Sequence, residues 1–165
     1  MLRDLLSAGL LLALCVMIHA LAVISLLRWL ARRPRSGQPG FWRSTWLLIC
    51  IAWWVVLAHV LEVICWAVFY GMRGAFPDPR SCAYFSIVTY TTTGYGDLVP
   101  PAALRMTAGV EGLTGILLCG WSAGFFFAVV DKMYRPLGGA AWSEAAPDSL
   151  QRSERGSPAV GGLHE

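Results

Sequence analysis

Charge is scarce in this chain. Only 14% of its 165 residues are Asp, Glu, Lys or Arg, against about 25% in a soluble domain. Lys132 is the one lysine beside twelve arginines, and the net charge is +3. No basic stripe offers a surface to nucleic acid, so no nucleic-acid partner is expected. Paired cysteines are missing too. Five is an odd number, and Cys15, Cys50, Cys65 and Cys119 sit in apolar runs, with Cys82 near a polar segment. Such thiols behave as small hydrophobes rather than as a disulfide framework. No phosphate loop, nucleophile motif or metal-ligand spacing stands out. An enzyme is therefore not expected, and no cofactor is implied.

What the chain has in abundance is apolar sequence, 56% of all residues. A helix that crosses a bilayer needs about 20 apolar residues, and three stretches qualify: residues 5–30, 45–70 and 106–130. The first holds one ionisable group, His19, before Arg28; the second holds His59 and Glu62; the third holds Glu111. The first span outruns the apolar region of about 7–15 residues of a cleaved signal, and its start has no excess of positive charge, so it is expected to be retained. Residues 79–91 form a fourth apolar stretch, too short to span. No internal repeat is visible.

These runs divide the chain into an N-terminal helix (1–31), a basic loop (32–44), a central domain (45–134) and a Gly-, Ala-, Ser- and Pro-rich tail (135–165) expected to be disordered. Arg32, Arg33, Arg35 and Arg43 make the loop positive with no acid, which places it in the cytoplasm. The N-terminus then lies outside and the tail inside, in a multi-pass protein of the plasma membrane.

Asp78-Pro79 fits a helix start, an Asp cap followed by Pro at the first helical position. The short helix is followed by Thr92-Thr93-Gly94-Tyr95-Gly96-Asp97. Irregular backbone survives at membrane depth only when buried in protein or lining a water-filled path. Glycine admits positive φ, and alternation of left- and right-handed conformations turns successive carbonyls to one side. A row of carbonyls is a cation site.

This hexapeptide resembles the selectivity filter of potassium channels, whose carbonyl rings replace the hydration shell of the ion. Thr93 stands where Val or Ile is usual and keeps a β-branched side chain. The resemblance covers residues 45–136, including Glu111-Gly112-Leu113-Thr114-Gly115 and Phe127-Ala128, which look like the inner helix of small two-span and bacterial inward-rectifier-type channels. It implies an all-α membrane protein: three transmembrane helices, a re-entrant pore helix and a filter strand, assembled as a four-fold channel. A single filter strand per chain implies a homotetramer.

The implied ligands of the transported K+ are the carbonyls of Thr92, Thr93, Gly94 and Tyr95, with Gly96 turning the chain away at the outer mouth. Tyr84 is implied to hydrogen-bond Asp97, and Tyr95 to pack near Thr89. Val88 replaces a Glu and Phe85 replaces a Trp of related channels, making the surroundings of the filter more apolar. Gly115 aligns with a hinge and Phe127 with a constriction. Glu62 and Glu111 are expected either to bond to pore-helix hydroxyls such as Thr89 or Thr91, or to sense protons, with His59 as a partner of Glu62. His19 is expected to be a packing residue. Gly120 and Gly124, at small-xxx-small spacing, are expected to allow close helix contact.

No regular arginine series marks a voltage sensor, and the tail is too short for a folded ligand-binding domain. A separate regulatory subunit stays open as a partner. The alternatives are a weakly selective monovalent cation channel, a potassium-binding transporter subunit, and a membrane interaction protein that conducts nothing.

Overall fold

The computed structural model describes residues 2–32 and 40–144, and the side chains of residues 3–32 and 40–132. All regular structure among them is helical: α1 (Leu2–Ala31), α2 (Phe41–Met72), α3 (Pro79–Tyr90) and α4 (Arg105–Glu144), with one 3-10 turn at Ala102–Leu104. Three segments, Arg3–Ala31, Phe41–Met72 and Ala102–Lys132, are long and apolar enough to cross a membrane. At about 1.5 Å per residue, the 12 residues of α3 fall well short of that.

The chain divides into two compact units, Met1–Phe126 and Phe127–Glu165. In the first, α1 packs on α2 and α2 on α3. Its apolar core gathers Trp66 and Tyr70 of α2, Cys82, Phe85 and Tyr90 of α3, Leu118 of α4, and Ala8 and Cys15 of α1. Phe85 is the keystone of the aromatic part, with ring centroids 5.1 Å from Tyr70 and 5.0 Å from Phe76. Leu10, Leu21, Trp53, Leu61, Leu113 and Leu117 remain exposed. A hydrocarbon surroundings, not water, makes that arrangement stable.

Helix α1 is fastened at three heights. Arg73 donates to Asp4 near the start of α1. Trp54 Nε1 donates to the Ala22 carbonyl at 3.0 Å. Between these, His19 reaches Glu62 on α2, 2.9 Å away.

The structure corrects three expectations. Helix α2 starts at Phe41, so residues 41–44 belong to it and not to the basic loop. Helix α4 runs to Glu144, into the stretch read as disordered. Extending an existing helix adds a hydrogen bond for each residue fixed, without a new nucleus. The rest of that tail, residues 145–165, lies outside the described residues. Residues 92–96 form a turn and an irregular segment rather than a strand, because a strand needs a laddered neighbour and this chain places none beside it.

Candidate functional site: the turn after α3 and the acidic residues behind it

Helix α3 begins as its sequence dictates. Asp78 is extended, its carboxylate accepts from the Ser81 amide at 2.9 Å and from the Ser81 hydroxyl at 2.7 Å, and Pro79 occupies the first helical position. These bonds hold the Asp78 carboxyl below the usual aspartate range, the Ser81 hydroxyl contributing most.

At the other end the chain turns sharply. The amides of Thr92, Thr93 and Gly94 donate to the carbonyls of Thr89, Val88 and Val88 at 3.0, 3.0 and 3.2 Å. Those carbonyls are among the last of the helix, which carry its partial negative charge. Thr91 Oγ1 bonds Ile87 O at 2.7 Å and Thr93 Oγ1 at 2.9 Å.

The next residues alternate in hand. Thr92 has φ 58°, Gly94 54° and Gly96 79°, and Thr92 is the one non-glycine residue with positive φ among the described residues. A side chain in that region costs about 1–2 kcal/mol, and such strain gathers where function needs it. Among the described residues, no main-chain amide donates to the carbonyls of residues 92–95. Tyr84 Oη donates to Asp97 Oδ2 at 2.8 Å, and that bond raises the Tyr84 hydroxyl above the usual tyrosine value. The Tyr95 side chain is 72% exposed. Within one chain it does not take up the buried place expected beside Thr89, and Thr89 itself bonds Thr92 through its backbone.

Both membrane-embedded acids lie behind this turn, and both are fully buried. Each meets a hydroxyl of α3, as expected, but Ser86 and Tyr90 take the places of Thr89 and Thr91. Glu111 of α4 accepts from Tyr70 of α2 at 2.7 Å and lies 2.6 Å from Ser86 Oγ of α3. It therefore ties three helices together. Glu62 accepts from Tyr90 of α3 and meets His19 Nδ1 at 2.9 Å and His59 Nδ1 at 3.0 Å. Both imidazoles reach Ser122 of α4 through Nε2, at 3.1 and 3.0 Å. His19, Ser86, Tyr90 and Ser122 had no visible role in the sequence, and His19 is no mere packing residue. The one available signal was a lone histidine in one span and a lone acid in the next. An unpartnered charge at that depth costs several kcal/mol. His19, His59 and Glu62 also form a group with metal-ligand geometry, their donor atoms all within 4.8 Å of one another.

Gly115 sits against the carbonyl of Tyr90, where a β-carbon would overlap it, and Gly112 lies against the carbonyl of Thr89. Here α4 touches the end of α3 backbone to backbone. Gly120 and Gly124, expected to be the close-contact pair, have no neighbour within 4 Å of a β-carbon inside this chain. In the second unit, Phe127 is 72% exposed.

Residues 58–132 match the family model described as "Ion channel". No curated protein and no solved structure matches the chain. The matched segment holds the end of α2, all of α3, the turn with alternating hand, and α4 as far as Lys132. That segment is similar to the ion-channel family, and the described residues include three helices long and apolar enough to cross a membrane, as in a multi-pass membrane protein.

Proposed function

We propose that the chain is one of four identical subunits of a potassium-selective channel in the plasma membrane, with α3 as a re-entrant pore helix and residues 92–96 as the filter. The observation that carries this is the alternation of positive φ at Thr92, Gly94 and Gly96. It costs strain at Thr92, and residues 92–96 are exposed in the single chain. Its use is to present the carbonyls of Thr92, Thr93, Gly94 and Tyr95 to one side. Among the described residues, no main-chain amide donates to these carbonyls. A dehydrated K+ needs about eight oxygens. One chain offers one carbonyl per level, and four copies around an axis supply stacked rings of four. The exposed ring of Tyr95 then finds its packing surface on a neighbouring copy. The C-termini of four short helices aim partial negative charge at the ion path.

Tyr84–Asp97 supports the filter from outside and Glu111–Ser86–Tyr70 from behind. Gly115 serves as the pivot of the inner helix and Phe127 as an apolar gate. The basic loop faces the cytoplasm and the N-terminus faces outward.

Purified protein reconstituted in a bilayer between potassium and sodium solutions tests the proposal. A reversal potential close to that of potassium is the expected result. A value midway between the two ions would establish the weakly selective alternative, and flux at transporter rates or none would sink the channel reading. Phe127→Ala is expected to raise open probability at rest; normal closure in that variant removes Phe127 from the gate.

A further inference from the structure

The group at His19, His59 and Glu62 holds more than hydrogen bonds require. Four contacts close a ring: His19 Nδ1 to Glu62 Oε1, His59 Nδ1 to Glu62 Oε2, and both Nε2 atoms to Ser122 Oγ. Each contact needs a hydrogen. Two neutral imidazoles and one hydroxyl bring three, and an ionised carboxylate brings none. The ring is therefore one positive charge short. With both imidazole hydrogens on Nε2, Ser122 accepts from each ring through its two lone pairs. Both Nδ1 lone pairs and the Glu62 carboxylate then face one another, and the Tyr90 hydroxyl, which donates to Glu62 and lies 2.9 Å from His59 Nδ1, brings one hydrogen to these three acceptors. One proton closes one of those gaps, whereas a metal ion closes both.

We propose that His19 Nδ1, His59 Nδ1 and the Glu62 carboxylate bind one divalent transition-metal ion of the zinc class. Tyr90 Oη, 2.9 Å from His59 Nδ1 and bonded to Glu62, is placed as a fourth oxygen donor. Tetrahedral zinc with ligands at about 2.0–2.1 Å separates neighbouring donor atoms by about 3.3 Å. The contacts of 2.9 and 3.0 Å run from the two imidazoles to different oxygens of Glu62, so the carboxylate would hold the ion through both, and the donor atoms of the three residues lie within 4.8 Å of one another. The outer shell is in place as well. A metal-bound imidazole normally donates its other nitrogen to a fixed acceptor, and Ser122 is that acceptor for both rings.

Two imidazoles with a carboxylate suit zinc and its borderline neighbours, not calcium or magnesium, which take oxygen shells. Bound metal would fasten α1 to α2 and to the end of α3.

The test uses the full chain in lipid nanodiscs, stripped with chelator and titrated with zinc chloride, the bound metal being counted after gel filtration. One zinc per chain is expected, with affinity at least tenfold lower in His59→Gln and in Glu62→Gln, and about tenfold lower in Ser122→Ala. Cys15, Cys65 and Cys119 lie close enough to Glu62 or Tyr90 to feel or impose charge there, so the three are changed together to Ser as a separate variant, which should keep its zinc. Cobalt-loaded wild type should show tetrahedral visible bands without a thiolate charge-transfer band, a readout that stands even if a variant fails to fold. The proposal is overturned by wild type that binds no zinc, the ring then being closed by a shared proton. Zinc lost on removal of the thiols, or a thiolate band in the cobalt spectrum, overturns it equally. Because binding is read without conduction, either result leaves the channel proposal to its own test.

Discussion

A methyl group on Gly115 would drive into the carbonyl of Tyr90, a backbone atom that cannot step aside. Overpacking of this kind costs about 1–3 kcal/mol. Gly115→Ala should therefore lower the melting temperature of the purified protein, whatever part Gly115 plays in bending. Gly120→Ala meets nothing among the described residues, so a loss there is expected to report a contact with another copy. The glycine-rich character of the third span was plain from the sequence. Which glycine is pressed against a neighbour was not, since that depends on how far α4 closes on α3. The same limit applies to the acids. Glu62 and Glu111 announced themselves as charges in apolar runs, and His59, three residues from Glu62, was legible as its partner, but the other partners stand far off in the chain. His19 lies 43 residues from Glu62 and 103 from Ser122, and no local pattern reaches that distance.

Helix α3 was the most legible element because its signals are local. The Asp78 cap and Pro79 lie within one turn of each other, and the structure keeps both. The cap also has a pH signature. The folded state holds the Asp78 carboxyl below its ordinary value. Its contribution is thus complete above the unfolded pKa of about 4 and is lost as pH falls through the lowered value. Tyr84 works in the opposite sense. Its hydroxyl is raised by the bond to Asp97, so its contribution is complete below about 10 and is lost as pH rises through the raised value. Thermal melts should therefore show Asp78→Ala converging with wild type only in strong acid, and Tyr84→Phe only in strong alkali. Neither group titrates between about pH 5 and 9. A change of current within that window has to originate elsewhere, and Glu111→Gln, which keeps the shape and cannot ionise, should flatten it. An unaltered pH profile in that variant would clear Glu111 of any sensing role. The far end of α4 was the least legible element. Gly, Ala and Pro read as disorder, yet a helix already wound carries on to Glu144.

At the scale of the molecule, Tyr95 is exposed, and no described main-chain amide donates to the carbonyls of residues 92–95, so this surface stands open in a single copy. If four copies share the ion path, one defective copy should silence all four. Gly96→Ala places a side chain at φ 79°. Expressed in equal amount with wild type, it should cut potassium current to about one sixteenth, the share of rings with no altered copy. A fall to about one half would mean that each copy conducts alone.

The three fastenings of α1 bear on any attempt to trim the protein. Cutting at the basic loop would spare every residue of the 58–132 segment, and by its boundaries alone the shortened version is a complete two-helix unit. It would nonetheless strand Arg73 without its acid and deprive Glu62 of its His19 contact in the dark of the bilayer. The leading helix is thus a working part of the unit that holds Glu62 rather than an ornament. Supplying it as a separate peptide should rescue the truncated form, and a His19→Leu peptide should not.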